Sequence, residues 1–196
     1  MKRILIISGP TGSGESTVTK LLIKKYPIFK RLITATTRKP RLREKNKNDY
    51  YFFSNREFRE KIKSGEILEY TYIKNRGVYY GTYFPELNQK IRDGYNIIVN
   101  TDYIGTKFYK KYYQAASIFI KAESLDAIKK RLLARQPNMT AAELKKRLNN
   151  AAKEIKKEEK YYQYTVINKE GKLPDALKKI VRILKEEGYA LKKVKP

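Results

Sequence analysis

Residues 9–16 read Gly-Pro-Thr-Gly-Ser-Gly-Glu-Ser and stand between an apolar run and a helical pattern. The apolar run, residues 3–8, is mostly isoleucine and leucine without alternation, which is typical of a parallel strand covered on both faces. Residues 15–25 place Val18 and Leu22 on one face of a helix. A strand, a glycine-rich turn and a helix in this order predict the opening of an α/β fold of the kind that binds nucleotides.

The glycine-rich turn matches the phosphate-binding loop pattern G-x-x-x-x-G-K-[ST] at Gly9, Gly14 and Ser16. Such a loop holds phosphate oxygens because its glycines let successive backbone N–H groups point inward at a helix N-terminus. The hydroxyl of Ser16 suits Mg²⁺, with water and phosphate oxygens as the other ligands. The predicted ATP-binding residues of the loop are Gly9, Thr11, Gly12, Ser13, Gly14, Ser16 and Thr17.

Glu15 occupies the position at which the loop pattern has lysine. The lysine offsets phosphate charge during transfer, whereas a carboxylate about 4 Å from a phosphate would repel it by roughly 4 kcal/mol at an effective dielectric constant of about 20. Glu15 also suits the first turn of a helix, where the helix dipole favours negative charge. Three explanations stay open: the chain is a weak or inactive kinase, another cation replaces the lysine, or Glu15 is not the native residue.

Composition limits the chemistry that the chain can perform. Its 196 residues contain no cysteine and no histidine, which excludes disulfides, zinc fingers and Ser-His-Asp catalysis. The net charge is +25, which indicates an anionic partner or, equally, the codon bias of an A/T-rich genome. No apolar run approaches the roughly 18 residues of a membrane span, so we expect a cytoplasmic protein without a membrane partner.

Beyond the loop, strand and helix patterns alternate along the chain. We predict strands over residues 31–36, 50–53, 66–73, 76–82, 95–99, 115–121 and 164–167, and helices over residues 55–64, 84–93, 103–112, 124–135, 141–160 and 174–187. The alternation predicts a parallel sheet with helices on both faces, and the run of strands within residues 36–82 predicts a small inserted lobe. Residues 136–138, Gln-Pro-Asn, break the helical pattern as a hinge would, and the basic tail, residues 191–196, is expected to fray.

A basic segment follows the second predicted strand. It contains Arg38 and Arg41, three residues apart, and Tyr50 lies a short distance beyond. Two guanidinium groups beside a tyrosine can clamp a phosphate, since the planar donors of arginine pair with two oxyanion oxygens at once. A solvated basic loop would have the same composition, and the segment alone does not distinguish the two.

Together, the loop and the basic segment closely resemble the guanylate kinase family, and the resemblance extends through nearly the whole chain. The family pattern runs from a G-P-S-G-x-G-K-S-T loop through S-x-T-T-R-x-P-R, E-x-x-G-x-D-Y, Y-Y-G-S and R-L-x-x-R to a late V-I-x-N strand. The matching stretches are residues 9–17, 34–41, 44–52, 66–70, 79–82, 99–102, 130–135 and 166–168.

The resemblance implies an ATP:GMP phosphotransferase with an α/β P-loop kinase fold that uses ATP and Mg²⁺. A parallel core sheet flanked by helices would comprise residues 1–33, 84–134 and 151–196. An inserted mixed β/α lobe, residues 34–83, would bind GMP, and a helical lid, residues 135–150, would close over ATP.

The same resemblance implies the roles of individual residues. The GMP phosphate would be held by two arginines and two tyrosines: Arg38, Arg41, Tyr50 and Tyr80. The base would be read by one carboxylate and two hydroxyls: Glu69, Thr34 and Thr82. Two strand-end residues would lie beside GMP: Asn100 and Asp102. Catalytic cations would be Arg38 and the lid arginines: Arg131, Arg135 and Arg147. Asn168 would touch adenine or ribose. A carboxylate at Glu69 suits guanine, whose adjacent N1 and N2 donors adenine lacks.

Two departures from the family pattern fall where catalysis would be organised. Glu15 stands in place of the loop lysine, and Asn100 stands in place of the first acid of an Asp-x-Asp pattern that Asp102 completes. Two interpretations therefore stay open: an impaired ATP:GMP phosphotransferase, or a catalytically inactive guanylate-kinase-like module that binds a nucleotide or a phosphorylated partner. Nucleic-acid binding rests on the basic charge alone, and we do not expect it.

Overall fold

The computed structural model describes residues 2–192; Met1 and residues 193–196, most of the tail expected to fray, lie outside the described residues. The strands are β1 (Ile4–Ser8), β2 (Phe29–Arg31), β3 (Ala35–Thr36), β4 (Tyr51–Phe52), β5 (Ile67–Ile73), β6 (Val78–Tyr83), β7 (Asn96–Val99), β8 (Ala116–Ala122) and β9 (Tyr164–Asn168). The helices are α1 (Glu15–Lys25), α2 (Asn55–Lys63), α3 (Phe84–Arg92), α4 (Tyr103–Tyr113), α5 (Leu125–Arg135), α6 (Ala141–Glu158) and α7 (Leu173–Glu186). Within residues 2–192, no helix combines the length and the apolar character that crossing a membrane requires.

Five strands form a parallel sheet in the order β2-β7-β1-β8-β9. This arrangement confirms the predicted parallel core sheet. The strand β1 lies at its centre. After β1 the chain adds β2 and then β7 on one side, and it crosses over β1 to add β8 and β9 on the other side, so the strand order reverses beside β1. In open parallel sheets, ligands bind at such a switch point, beyond the carboxyl ends of the strands. The glycine-rich loop follows β1 and therefore lies at this place.

Alternate side chains of β1 enter two apolar cores, one on each face of the sheet. Leu5 and Ile7 pack against helices α1 and α7, whereas Ile4 and Ile6 pack against α3 and α4. All four side chains are at most 1 % exposed. Full burial of such a side chain contributes about 1.5–3 kcal/mol, so β1 is firmly fixed, and with it the start of the loop.

A second sheet of four strands, in the order β4-β3-β6-β5, forms the inserted lobe. Strands β3 and β4 are parallel and the other pairs are antiparallel, and with helix α2 they form a lobe that contains both strands and a helix, as predicted. Helix α2 covers the sheet with Phe58, which is fully buried. Ser54 caps α2 by accepting from the backbone N–H of Glu57, whose side chain accepts from the N–H of Ser54 in return. The bounds of this lobe, residues 34–83, and its binding of GMP stay predictions.

The predicted strand over residues 31–36 is wrong as a single element. Phe29–Arg31 pairs with β7 in the core sheet, whereas Ala35–Thr36 pairs with β4 and β6 in the lobe. The backbone N–H of Leu32 still donates to the carbonyl oxygen of Ile98 at 2.8 Å before the chain leaves the core sheet. This segment therefore contributes to two sheets, and Thr34 lies where the chain passes from the core to the lobe.

The break predicted at residues 136–138 is confirmed, because α5 ends at Arg135 and α6 begins at Ala141. The hydroxyl of Thr140 accepts from the backbone N–H of Glu143 at 3.2 Å and caps α6. Met139 is buried and anchors the connection in a small core shared by α5 and α6. The connection is thus held at one apolar point between two exposed stretches.

Candidate active site

The loop between β1 and α1 has the geometry of a phosphate cradle. Gly12 and Gly14 have φ angles of +80° and +92°, in the left-handed region that glycine adopts without strain. Gly14 is the N-cap of α1 and has no side chain that could occupy the first N–H groups of the helix. The backbone N–H of Ser13 donates to the carbonyl oxygen of Pro10 at 3.0 Å and closes the turn. The loop therefore presents the N-terminus of a helix, which favours anions.

Arg131 and Asn168 hold this loop from behind. The guanidinium of Arg131 donates to the carbonyl oxygens of Gly12 and Ser13 at 3.3 and 3.2 Å. It also donates to the carbonyl oxygen of Asn168 at 2.8 Å, and the Asn168 amide donates to Ser13 at 2.9 Å. Asn168 is only 6 % exposed. The structure gives both residues a loop-supporting contact, and their predicted contacts with ATP stay predictions.

The side chain of Glu15 contacts the end of β7. The amide Nδ2 of Asn100 donates to Oε1 of Glu15 and, at 2.9 Å, to the carbonyl oxygen of Ile7. The Ser16 hydroxyl donates to Oε2 of Glu15 at 3.4 Å. Burial raises the pKa of Glu15 from 4.5 to about 7, against the opposing effects of Ser16, the positive charge of Arg31 and Asn100. The two departures from the family pattern therefore touch each other.

Arg38 is oriented by Glu44 and by aromatic rings. Its Nη1 and Nη2 donate to the two carboxylate oxygens of Glu44 at 2.8 and 3.0 Å. The guanidinium lies over the rings of Tyr50 and Phe52, 5.4 and 5.6 Å from their centres. The hydrogen bonds to Glu44 raise the pKa of Arg38 and lower that of Glu44. The ring of Tyr80 packs edge-on against Tyr50, so three of the four predicted phosphate ligands are adjacent.

Glu69 and Thr82, two of the residues predicted to recognise the base, contact each other in the lobe. The hydroxyl of Thr82 donates to Oε1 of Glu69 at 2.7 Å and lies 2.7 Å from the hydroxyl of Tyr109. Burial raises the pKa of Glu69 from 4.5 to about 7, the hydrogen bond from Thr82 lowers it, and the charge of Asp102 raises it. Thr34 lines the same cleft. Glu69 and Thr34 thus give the cleft a polar wall, and Thr82 holds the Glu69 carboxylate from behind.

Asp102 joins the core to the lobe. Its Oδ1 caps α4 by accepting from the backbone N–H groups of Ile104 and Gly105 at 3.0 and 3.1 Å. Its Oδ2 accepts from the hydroxyl of Thr71 in β5 at 2.9 Å. The side chain is thereby fixed at the mouth of the pocket that Glu69 forms.

A cleft of about 380 Å³ runs between the loop, the end of β7, the lobe and α6. The loop contributes Gly9, and the lobe contributes Tyr50 and Tyr80. Five of the lining residues are acidic: Glu15, Glu69, Asp102, Glu154 and Glu158. Burial and the neighbouring charge of Glu158 raise the pKa of Glu154 to about 7. The cleft is therefore acidic although the protein is strongly basic.

The remaining predicted arginines lie away from this cleft. Arg41 and Arg135 are exposed, and the backbone N–H of Arg41 donates to Glu44 at 2.7 Å. Arg147 pairs with Glu143 on its own helix at 2.5 Å. The structure does not bring Arg135 and Arg147 to the loop, and their predicted contacts with ATP stay predictions.

Sequence reasoning missed several residues of the cleft. Thr71 shares a face of β5 with Glu69, and the period-two alternation of a strand could have identified it. Glu154 and Glu158 are four residues apart on α6, a spacing that places both on one helix face. No sequence signal singled out Tyr109, which contacts Thr82, because the chain has several other tyrosines in helical patterns.

A loop that presents helix N–H groups to phosphate thus faces, across one cleft, a lobe that presents arginine, tyrosine and a base-sized polar pocket. A phosphate loop and a substrate lobe on one cleft are the arrangement of the P-loop nucleoside monophosphate kinases. The sequence family described as guanylate kinase matches residues 1–187. The chain belongs to the guanylate kinase family.

Known proteins agree with this assignment over almost the full length. A guanylate kinase of Protochlamydia amoebophila is 35 % identical over 190 residues, 97 % of this chain and 93 % of that protein. A guanylate kinase of Helicobacter pylori is 37 % identical over 168 residues, 85 % of this chain and 80 % of that protein. The crystal structure of guanylate kinase from Anaplasma phagocytophilum superposes with a TM-score of 0.71 and 26 % identity, covering 98 % of this chain and 90 % of that one.

Proposed function

We propose that the chain transfers the γ-phosphoryl group of ATP to GMP and that Glu15 makes this transfer slow. One observation carries the proposal: the phosphate cradle at Gly9 and the pair Tyr50 and Tyr80 line opposite sides of a single cleft. Membership of the guanylate kinase family supports the choice of GMP as acceptor.

The acceptor phosphate would bind to Arg38, Arg41, Tyr50 and Tyr80. Arg38 already donates both Nη groups to a carboxylate, that of Glu44. A phosphate offers oxygens with the same spacing and more charge, so it suits the same planar donors. Arg41 is exposed near Arg38 and would turn toward the phosphate when GMP binds.

Guanine would be recognised by Glu69, Thr34 and Thr82. Guanine has adjacent donors at N1 and N2, and the two oxygens of one carboxylate can accept both. Adenine would leave the carboxylate unpaired in a partly buried pocket, and a site built around such a hydrogen bond discriminates strongly against a base that lacks it. Asn100 and Asp102 would border the same pocket from the core side.

In the proposed reaction, a phosphate oxygen of GMP attacks the γ-phosphorus in line. The new P–O bond forms as the bond to the β–γ bridging oxygen of ATP breaks, and ADP leaves with the electron pair. A phosphate dianion is already nucleophilic, so the chain needs no general base. Its contribution is positioning and charge stabilisation, which we assign to the loop, to Arg38 and to Arg135 and Arg147 after closure of residues 135–150. Arg131 and Asn168 would support the loop at the ATP side.

Ser16 fits a role as Mg²⁺ ligand. Its hydroxyl is at the exposed start of α1, beside the cradle, and Mg²⁺ takes most of its six oxygen ligands from phosphates and water. When bound, the ion would neutralise charge on the phosphates. Among residues 2–192, no group of three or more acidic side chains is placed to hold a metal ion.

Replacement of Glu15 tests the proposed function. We expect the chain as it stands to phosphorylate GMP slowly, and Glu15→Lys to raise kcat/KM at least tenfold, because one charge contact in a phosphate site supplies about 1.4 kcal/mol or more of transition-state stabilisation. The measurement is ADP formation from ATP–Mg²⁺ with GMP as acceptor and AMP as the control acceptor. Equal and rapid turnover by both forms would show that another cation replaces the lysine.

A second candidate function is a binding module for a nucleotide or a phosphorylated partner. Glu15 at the catalytic end of the cleft favours it, because a carboxylate beside the cradle repels the phosphates of ATP. If neither form transfers phosphate while GMP still binds and ATP does not, the binding module is the better description. Calorimetric titration with GMP and with ATP distinguishes the two functions.

A further inference from the structure

The two residues that depart from the family pattern in the cleft form one contact. Glu15 begins α1, Asn100 follows β7, and 85 positions separate them in the chain, yet the amide of Asn100 donates to the carboxylate of Glu15. We propose that Glu15 and Asn100 are a matched pair, in which Asn100 positions the Glu15 carboxylate against the end of β7. Lysine at position 15 alone, or aspartate at position 100 alone, should then have less effect on stability and activity than both replacements together. The kinetic part of this inference rests on the proposed function, whereas the contact itself involves no nucleotide.

The side-chain amide of Asn100 has a proton for each of two neighbouring acceptor oxygens. Its Nδ2 carries two hydrogens, and its two near acceptors are the carbonyl oxygen of Ile7, at 2.9 Å, and Oε1 of Glu15. Thr19 Oγ1 is more distant, at 3.4 Å. Both near acceptors lack a proton when Glu15 is ionised. The amide therefore satisfies two oxygens that no acceptor-only side chain could satisfy.

Aspartate at position 100 would reverse this match. Its oxygen would face the carbonyl oxygen of Ile7 and the carboxylate of Glu15 without a proton between them, and such unsatisfied buried oxygens are costly. Lysine at position 15 would reverse it from the other side, because the N–H groups of Asn100 would face an ammonium group. Lysine at 15 with aspartate at 100 restores complementarity as an ion pair. Each residue at one position thus suits only one residue at the other.

The charges around Glu15 are consistent with this role. Besides Asn100, the groups that face the carboxylate are the hydroxyl of Ser16 and the guanidinium of Arg31, which is held by the carbonyl oxygens of Asn48 and Asp49 at 3.3 and 3.1 Å. Burial raises the pKa of Glu15, and these three groups oppose the rise. Because Asn100 contributes a direct hydrogen bond, it is one of few donors that keep the carboxylate turned toward β7.

A double-mutant cycle tests the pair. The variants are Glu15→Lys, Asn100→Asp and the double replacement, each measured by urea unfolding without nucleotide at pH 8 and by kcat/KM for GMP phosphorylation. We expect Asn100→Asp alone to lower the folding equilibrium constant at least tenfold. For the double variant, we expect the folding equilibrium constant and kcat/KM each to be at least tenfold higher than the product of the two single effects predicts.

Two further variants separate pairing from general effects of charge. Glu15→Gln has an amide that can donate or accept, so it suits either asparagine or aspartate at position 100. The coupling between Glu15→Gln and Asn100→Asp should therefore fall below twofold. Asn75→Asp adds the same charge on an exposed turn between β5 and β6 and should leave stability and activity within twofold. If Asn100→Asp does not fold, Asn100→Ala replaces it: without the amide donor, Glu15→Lys should stabilise the chain more than it does beside Asn100.

Additive effects, within twofold in both measurements, would overturn the inference. A different result concerns only the proposed function: if no variant phosphorylates GMP but the unfolding cycle shows coupling, the pair stands and the proposed reaction fails. If unfolding is additive while activity is coupled, the two residues meet only through the bound nucleotides, and the contact seen here does not position Glu15.

Discussion

Glu69 gives the most direct prediction about a single residue. Its pKa is raised to about 7 by burial, and guanine needs both of its oxygens as acceptors. Below pH 7 the carboxyl is protonated and one oxygen becomes a donor; above pH 7 the carboxylate can accept from N1 and N2. Between pH 6 and pH 8 the ionised fraction rises about tenfold for a pKa of 7, so the KM for GMP should fall by about that factor.

The variant Glu69→Gln separates this effect from the titration of GMP itself. A phosphate monoester loses its second proton near pH 6, which also favours binding to Arg38 as the pH rises. Glu69→Gln keeps the phosphate contribution and removes the carboxylate, so its KM should be higher and should change less with pH. An unchanged pH profile in this variant would assign the whole dependence to the phosphate.

At this scale, the sequence predicted the residues whose chemistry stands in a motif. Gly9 and Glu69 line the cleft because a loop and a strand carry them, and the roles predicted for these residues and for Gly14 and Thr82 stay predictions. The residues that each of these side chains contacts could not be predicted from the sequence. The contact between Glu15 and Asn100 depends on β1 and β7 being neighbours in the sheet, and no spacing along the chain expresses that.

The N-caps of helices α4 and α5 should contribute similarly to stability but differently to GMP binding. Asp102 caps α4 and also accepts from Thr71 in the lobe, whereas Ser124 caps α5 by accepting from Ala127 at 3.1 Å and lies outside the cleft. Removal of either cap by alanine should cost about 1 kcal/mol of the free energy of unfolding. Only Asp102→Ala should also raise the KM for GMP, by at least fivefold, because it frees β5 from the core.

Urea unfolding and steady-state kinetics on the two variants check this expectation. Ser124→Ala is the matched control, since it loses a cap of similar strength without touching the lobe. An equal change in KM for both variants would mean that the loss of helix stability, not the contact with Thr71, governs GMP binding.

Elements with strong periodicity were predicted well, and the exception has a physical cause. The helix α1 begins and ends at the predicted residues, 15 and 25. Residues 31–36, Arg-Leu-Ile-Thr-Ala-Thr, have the pattern of one short strand, yet they contribute to two sheets because the chain leaves the core for the lobe. A local pattern reports burial but not which sheet supplies the hydrogen-bond partners.

On the scale of the whole molecule, the distribution of charge matters more than its sum. The net charge is +25, but the lining of the cleft is acidic. The basic residues therefore lie mainly on the outside, where most are exposed lysines and arginines. Such a surface repels itself in the compact state, and this repulsion is screened by salt over about 10 Å at 0.1 M.

Stability should therefore rise with salt, which follows from the net charge and requires no ligand. Between 20 and 300 mM NaCl, a gain of about 1 kcal/mol would raise Tm by about 2–4 °C for a chain of this size. The measurement is thermal unfolding followed by circular dichroism at pH 7.5, in NaCl and in Na₂SO₄ at equal ionic strength. Because sulfate resembles phosphate, it can also bind the cradle at the start of α1. A rise in sulfate without one in chloride would show that anion binding at the loop, and not relief of self-repulsion, stabilises the fold.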